Sequence, residues 1–299
     1  MNGIINVFKP RGLTSNDVVR RVKKILNVKK VGHTGTLDPN ASGVLPICIG
    51  KATRVSEYLL YSNKKYTAEI TLGFSTDTQD EEGNILKRSE KEVTQNEILE
   101  AFDSFKGEIY QIPPMYSAIR HDGKRLYELA REGIEVEREK RKVYIYDLEI
   151  LKIIDNKKIL FNVECSRGTY IRTLCNDIGE YLGTYGYMSF LIRTSVYPFK
   201  IDTAVSLETI KNKFDSGNIQ DILIPIDYAL SNFESIFVDK NYFKQLSNGM
   251  LIDLDRLNFK GNVVVGKNLR IYCGDIFIGI GKFVNKDSKI FLKMNKVFL

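Results

Sequence analysis

The stretch with the most chemical content is Gly32-His33-Thr34-Gly35-Thr36-Leu37-Asp38-Pro39-Asn40-Ala41-Ser42-Gly43-Val44-Leu45-Pro46. Three glycines frame threonines, one histidine and one carboxylate. Glycine lets backbone approach a ligand closely and accepts φ > 0 turns. Asp38-Pro39 also has a plain structural reading, since Asp caps helices and Pro suits the first helical position. A P-loop is excluded, because no Gly-Lys-Ser/Thr follows the glycines. A hydrolase pairing Asp38 with His33 lacks a third orienting group or a nearby nucleophile. Taken singly, Arg172 reads as an exposed first-turn helix residue and Tyr66 as a core aromatic on a strand.

Regular elements must hold these residues. Gly3 to Phe8 reads as a strand that ends at the Lys9-Pro10-Arg11-Gly12 turn. Ser15 is placed to cap a helix running to about Leu26, with Val18, Val19, Val22, Ile25 and Leu26 on one stripe. Tyr66 to Phe74 alternates as a strand, with Tyr66, Ala68, Ile70 and Leu72 on one face. Thr94 and Glu97 form a capping box. Val143 to Ile154 and Lys158 to Cys165 flank Asp155-Asn156-Lys157 as a hairpin. A helix from Thr169 presents Ile171, Leu174, Cys175, Ile178 and Leu182 along one face. From Ile236 to Leu299, short β-rich runs broken by glycine predict a small β-barrel. The first 230 or so residues lack βαβ alternation, so the fold class is α+β: a mixed, largely antiparallel sheet flanked by helices, plus that C-terminal barrel. The expected boundaries are 1–230 and 235–299.

Composition narrows the class. The chain has 299 residues, with 44 Lys+Arg against 37 Asp+Glu, for a net charge of +7. Hydrophobic residues make up 43% and charged residues 27%, which excludes a disordered or collagen-like chain. No apolar run reaches the ~18 residues of a membrane span, and no basic-then-apolar leader opens the chain. A soluble cytoplasmic protein is expected. Cys48, Cys165, Cys175 and Cys273 sit in apolar stretches without C-x-x-C spacing and read as reduced core residues. Two histidines, His33 and His121, form no metal-ligand cluster, so no metal site is expected. Basic clusters at Arg20-Arg21-Val22-Lys23-Lys24, Lys29-Lys30, Lys64-Lys65 and Arg138 to Lys142 permit a polyanionic partner.

The Gly32–Pro46 string as a whole resembles the catalytic motif of the TruB family, the bacterial tRNA pseudouridine-55 synthases. Further stretches agree in the same order. Lys9-Pro10-Arg11-Gly12-Leu13-Thr14-Ser15 resembles the family's N-terminal motif. Lys65-Tyr66, followed by Asp77-Thr78-Gln79-Asp80 and Gly83, resembles its tyrosine motif. Pro113 to Ala118 and Gly123 to Tyr127 match another block, and Ser166-Arg167-Gly168-Thr169-Tyr170-Ile171-Arg172 the arginine motif, with Leu191-Ile192-Arg193-Thr194 downstream. The likeness runs at least from residue 3 to 200. Asn16 stands where many members carry His, and Asn40 replaces a commonly apolar residue.

The resemblance implies isomerisation of the uridine at position 55 in the T-loop of tRNA, by base flipping and without a cofactor. It implies Asp38 as the essential carboxylate, Arg172 as its cation and Tyr66 as the ring stacked on the uracil. RNA contacts are expected from His33, Lys9, Pro10, Lys65, Asp80 and Leu191, with Asp80 joining the Arg172 network. The C-terminal region resembles a PUA-type RNA-binding domain in size and strand content. An insertion near 120–145, with the charged stretch Glu135 to Lys142, is expected to clamp the RNA. The expected partner is the T-arm stem-loop, and the chain is expected to act as a monomer, away from membranes. Two alternatives stand beside this reading: a non-catalytic RNA-binding or tRNA-folding protein, and a related synthase acting on another RNA.

Overall fold

A computed structural model describes residues 1–60, 62–257, 259 and 261–299. Its main sheet has nine strands. Seven lie side by side in the order Gly3–Lys9, Ser42–Ile49, Gly186–Val196, Lys64–Leu72, Lys158–Cys165, Arg141–Ile154 and Gly107–Gln111. Val31–His33 extends the sheet against Ser42–Ile49, and Phe199–Lys200 against Gly186–Val196. All pairings are antiparallel except Ser42–Ile49 with Gly186–Val196, which is parallel. This parallel pair adjoins the strand that carries Tyr66, so the loop after His33 and the Tyr66 strand meet mid-sheet.

The expected local elements are present. Tyr66, Ala68, Ile70 and Leu72 are buried while the residues between them are not, which is the period of two of a half-buried strand. The hairpin turns through Asp155 and Asn156 at φ 50° and 51°, a left-handed conformation that short polar side chains tolerate. Thr94 caps Gln95–Ser104 with Glu97 completing the box. Ile171–Tyr181 buries Ile171, Leu174, Cys175 and Ile178 against the sheet. Phe102 meets Phe161 edge to face at 5.2 Å, locking the capped helix onto the same core. All four cysteines are free and buried.

One cap differs from expectation. Thr14, not Ser15, is the N-cap of Ser15–Ile25: its side chain accepts from Asp17 N, and Asp17 answers to complete the box. Ser15 is thereby turned inward, where it does other work described below.

The C-terminal unit is a curled half-barrel of five strands, in the order Ser235–Val238, Leu269–Cys273, Ile276–Lys286, Lys289–Val297 and Ile252–Asp253. Its own core includes Ile271, Ile278, Phe283 and Leu292. It is not isolated from the larger unit. Ile280 and Phe298 share a buried cluster with Val55, Leu59 and Leu230. Arg54 donates to the Val297 carbonyl at 2.8 Å and lies over the Phe298 ring, and Lys296 pairs with Glu57. Among the described residues, no helix is long and apolar enough to cross a membrane.

Candidate active site

The Asp38 loop is stapled from three sides. Ser15 Oγ donates to the Leu37 carbonyl and accepts from Leu37 N, at 3.1 and 2.9 Å. Lys9 is fully buried, and its ammonium donates to the carbonyls of Pro10, Leu13 and Pro39 at 2.9, 2.6 and 3.0 Å. Gly12 N also reaches the Pro39 carbonyl, at 2.9 Å. Thus the whole Lys9–Ser15 turn is wrapped around Leu37 and Pro39, the two neighbours of Asp38. Burial pushes the Lys9 ammonium down to about 8, with the nearby Asp38 charge opposing the shift. On the third side Arg193, also fully buried, donates to the carbonyls of Gly35, Thr36 and Val44.

Asp38 itself stays reachable, with its side chain 37% exposed. Arg172 Nε lies 3.1 Å from its Oδ2 and Nη2 3.4 Å from its Oδ1. This fork-on-carboxylate contact sets the plane of the carboxylate as well as its place. Arg172 is in turn held by the Thr78 carbonyl at 3.1 Å, the Tyr116 carbonyl at 2.8 Å, and Asp80 Oδ2 at 3.5 Å. It is 5% exposed, so the exposed first-turn reading of this residue gives way to a buried cation. Asp80 is fixed by Thr78 Oγ1 and by Glu82 N. Burial raises its carboxyl above the usual range, with Thr78 and Arg172 pulling the other way.

Tyr66 packs in the core cluster that also contains Leu37, Leu191 and Ile171. Burial is the largest cause of its hydroxyl being pushed up to about 12, and the charge of Arg193 opposes that rise. A phenol so placed is a weak base and a good stacking surface. Leu191, 7% exposed, lines the same cluster and also serves as core. His33 ends the Val31–His33 strand, and its Nδ1 accepts from Gly35 N at 3.2 Å. Burial, aided by the charge of Arg193, lowers its pKa and favours the neutral ring.

The structure does not bring every expected RNA contact to this site. Lys65 points to the face opposite Tyr66, as strand alternation requires, and pairs with Glu164 at 2.9 Å. Lys9 has no exposed surface and acts inside the loop rather than on it, while Pro10 lends it a carbonyl. Arg193 was visible in sequence only as part of a motif. The hint lay in a cation directly after an apolar run, Phe190-Leu191-Ile192. Away from the site, Arg20, Lys23, Lys24 and Lys29 line a shallow notch beyond the Ser15–Ile25 helix, with no carboxylate among its lining residues. The Glu135–Lys140 stretch is tied down by Arg138, which donates to the Pro113 carbonyl at 3.2 Å and pairs with Glu135.

The arrangement can present one directed, partly accessible carboxylate between a buried guanidinium and an aromatic ring. Comparison with known proteins places it. The family model for the TruB family pseudouridylate synthase N-terminal domain matches residues 23–171, and that for the tRNA pseudouridylate synthase B C-terminal domain matches 172–231. The chain is 52% identical over 287 residues to tRNA pseudouridine synthase B of Alkaliphilus oremlandii, covering 96% of this chain and 95% of that one. It is 48% identical to the protein of the same name from Clostridioides difficile, over the full length of both. Among solved structures it superposes on a Cbf5–Nop10–Gar1 complex with a TM-score of 0.78 at 30% identity, covering 99% of this chain and 85% of that one. An H/ACA RNP bound to a substrate RNA containing 2′-deoxyuridine gives 0.76 at 28% identity, covering 99% and 85%. With half its residues shared along nearly the whole length of such relatives, and with their fold, the chain belongs to the TruB family and is a pseudouridine-forming isomerase.

Proposed function

We propose that this enzyme isomerises the uridine at position 55 in the T-loop of tRNA, with Asp38 as the essential carboxylate. The observation that carries the reading is the two-nitrogen contact of buried Arg172 with half-exposed Asp38. In the reaction the N1–C1′ bond breaks, the uracil turns, a C5–C1′ bond forms, and a proton leaves C5 while N1 gains one. Atoms balance within the substrate. Asp38 meets the extruded nucleotide with its carboxylate already oriented, so little reorganisation is left for the reacting complex. Extruding the uridine costs a few kcal/mol, which stacking on Tyr66 and contacts along the loop offset. Arg172 is itself kept in place by Asp80 and two carbonyls, so orientation passes from the Thr78–Asp80 turn through Arg172 to Asp38.

The same reading assigns RNA backbone contacts to the basic notch of Arg20, Lys23, Lys24 and Lys29, where Arg20 is paired with Asp17. It makes the C-terminal half-barrel a PUA-type RNA-binding unit and the 134–142 stretch a clamp on the T-arm. Deleting Ile134 to Lys142 is expected to raise KM far more than it lowers kcat; an unchanged KM counts against the clamp. The test of the site of action is carbodiimide mapping of a full-length unmodified tRNA transcript after incubation with the enzyme. A single new stop at position 55 supports the reading. Stops elsewhere in the tRNA, or none in tRNA but some in another RNA, replace it with a synthase of different target.

A further inference from the structure

We infer that Arg193 is a positioning residue that holds the Asp38 loop in its reactive place, an inference that rests on Asp38 being the essential carboxylate. Arg193 stands on Gly186–Val196 between two cross-strand neighbours. It is opposite Tyr66 in the antiparallel pair and opposite Gly43 in the parallel one. Residues directly opposite in an antiparallel pair share a face, so its side chain runs beside that of Tyr66 toward the loop. It is 1% exposed and heads the largest fully buried side chains.

Three donors go to the loop, and Tyr66, directly opposite on the neighbouring strand, presents its hydroxyl to the same guanidinium. Nε reaches the Val44 carbonyl at 2.8 Å, Nη1 that of Thr36 at 3.3 Å, and Nη2 that of Gly35 at 3.2 Å. Asp38 lies between Thr36 and Val44, so one planar fork fixes both flanks of its loop. Among the described residues, no carboxylate forms an ion pair with Arg193. A buried charge answered by dipoles, three carbonyls and the Tyr66 hydroxyl, and by no paired carboxylate is a costly way to fill space, and an apolar side chain of similar volume would fill it more cheaply. What the guanidinium adds is three donors in a rigid plane, which neither Lys nor an apolar residue reproduces. The two buried arginines thus divide the work. Arg172 faces the Asp38 carboxylate, and Arg193 takes the backbone that carries it. Its uncompensated charge is felt nearby, opposing the rise at Tyr66 and adding to the effect of burial at His33 and Lys64.

The test compares wild type with Arg193→Lys, which keeps the charge and loses the fork, and Arg193→Gln, which keeps two donors and loses the charge. Each is assayed on an unmodified T-arm stem-loop transcript for single-turnover tritium release from uracil C5, for transcript Kd by filter binding, and for Tm. The expected result is a rate lower by about 100-fold in Arg193→Lys with Kd within about 3-fold of wild type, the signature of a misplaced reacting group. Arg193→Gln is the second variant where an internal ammonium prevents folding, and it is expected to show the same split. A folded variant with the wild-type rate overturns the inference, and so does a loss carried wholly by Kd. No release from wild type would instead remove the reading of Asp38 on which the inference rests.

Discussion

Arg172 meets Asp38 through two nitrogens, Nε 3.1 Å from Oδ2 and Nη2 3.4 Å from Oδ1, while its Nη1 turns away to Asp80 at 3.5 Å. One guanidinium therefore ties the loop after His33 to the Thr78–Asp80 turn much further along the chain. Arg172→Lys replaces the fork with a point charge that can satisfy one side only. The single-turnover rate is expected to fall by about 100-fold or more with transcript affinity nearly kept. Asp80→Asn keeps an acceptor near Arg172 and is expected to cost less. Equal losses in the two variants would mean that Asp80 does more than orient Arg172.

Tyr66 packs its ring in the cluster that holds Leu37 and sets its buried hydroxyl against the Arg193 guanidinium that fixes the Asp38 loop. Tyr66→Phe is expected to bind the transcript like wild type and to lose turnover, and Tyr66→Leu to lose affinity as well because stacking goes with the ring. Tritium release with parallel filter binding separates the two. Wild-type turnover by Tyr66→Phe would leave the hydroxyl without a chemical role.

Buried Lys9 gives the fold an alkaline signature. Its ammonium sits near 8 when folded against 10.5 in the free side chain. Below pH 8 both forms hold the proton and the folded chain bears the full burial penalty. Between pH 8 and 10.5 the unfolded chain holds the proton more firmly, so that penalty fades as pH rises. Comparison with Lys9→Met cancels the contributions of other groups. The unfolding free energy of wild type minus that of Lys9→Met is expected to climb through this window, by up to about 3 kcal/mol at 1.36 kcal/mol per unit. Urea titrations at the two ends of the window measure it, and a flat difference would contradict the burial of this charge.

Gly43 stands opposite Arg193 at φ +111°, and a Cβ there would fall 2.2 Å from the Arg193 carbonyl oxygen. Gly43→Ala must push the Ser42–Ile49 strand away from Gly186–Val196, or pull the loop with it. It is expected to lower Tm by several degrees and to reduce the rate in whatever protein remains folded. Differential scanning calorimetry with active-site titration reads both. An unchanged Tm would mean that the parallel pair yields to a methyl group without loss.

The elements that came through from sequence are those written in consecutive residues. The Thr94–Glu97 box, the Asp155-Asn156 turn and the stripe from Ile171 to Leu182 each depend on a spacing of four residues or fewer, repeated or capped locally. The networks around Asp38 do not. Ser15 looked like a cap because its neighbours have helical spacing, yet its hydroxyl bonds Leu37, 22 residues away. Lys9, in a Lys-Pro turn, was expected to contact RNA, but three carbonyls converge on its ammonium, one of them 30 residues distant. Arg193 looked like one cation in a strand because the carbonyls it serves lie about 150 residues before it. Such contacts follow from strand order, above all from the parallel pair that sets Gly43 against Arg193, and no local pattern encodes that order.

Everything above turns on Asp38 as the carboxylate of uridine isomerisation in tRNA. The most direct measurement is tritium release from an unmodified tRNA transcript labelled at uracil C5, with wild type and Asp38→Asn in parallel. Pseudouridine has the mass of uridine, so loss of the C5 hydrogen reports what mass cannot. Wild type is expected to release one equivalent per tRNA, and a folded Asp38→Asn that still binds the transcript none. Release by that variant at a comparable rate would contradict that role of Asp38.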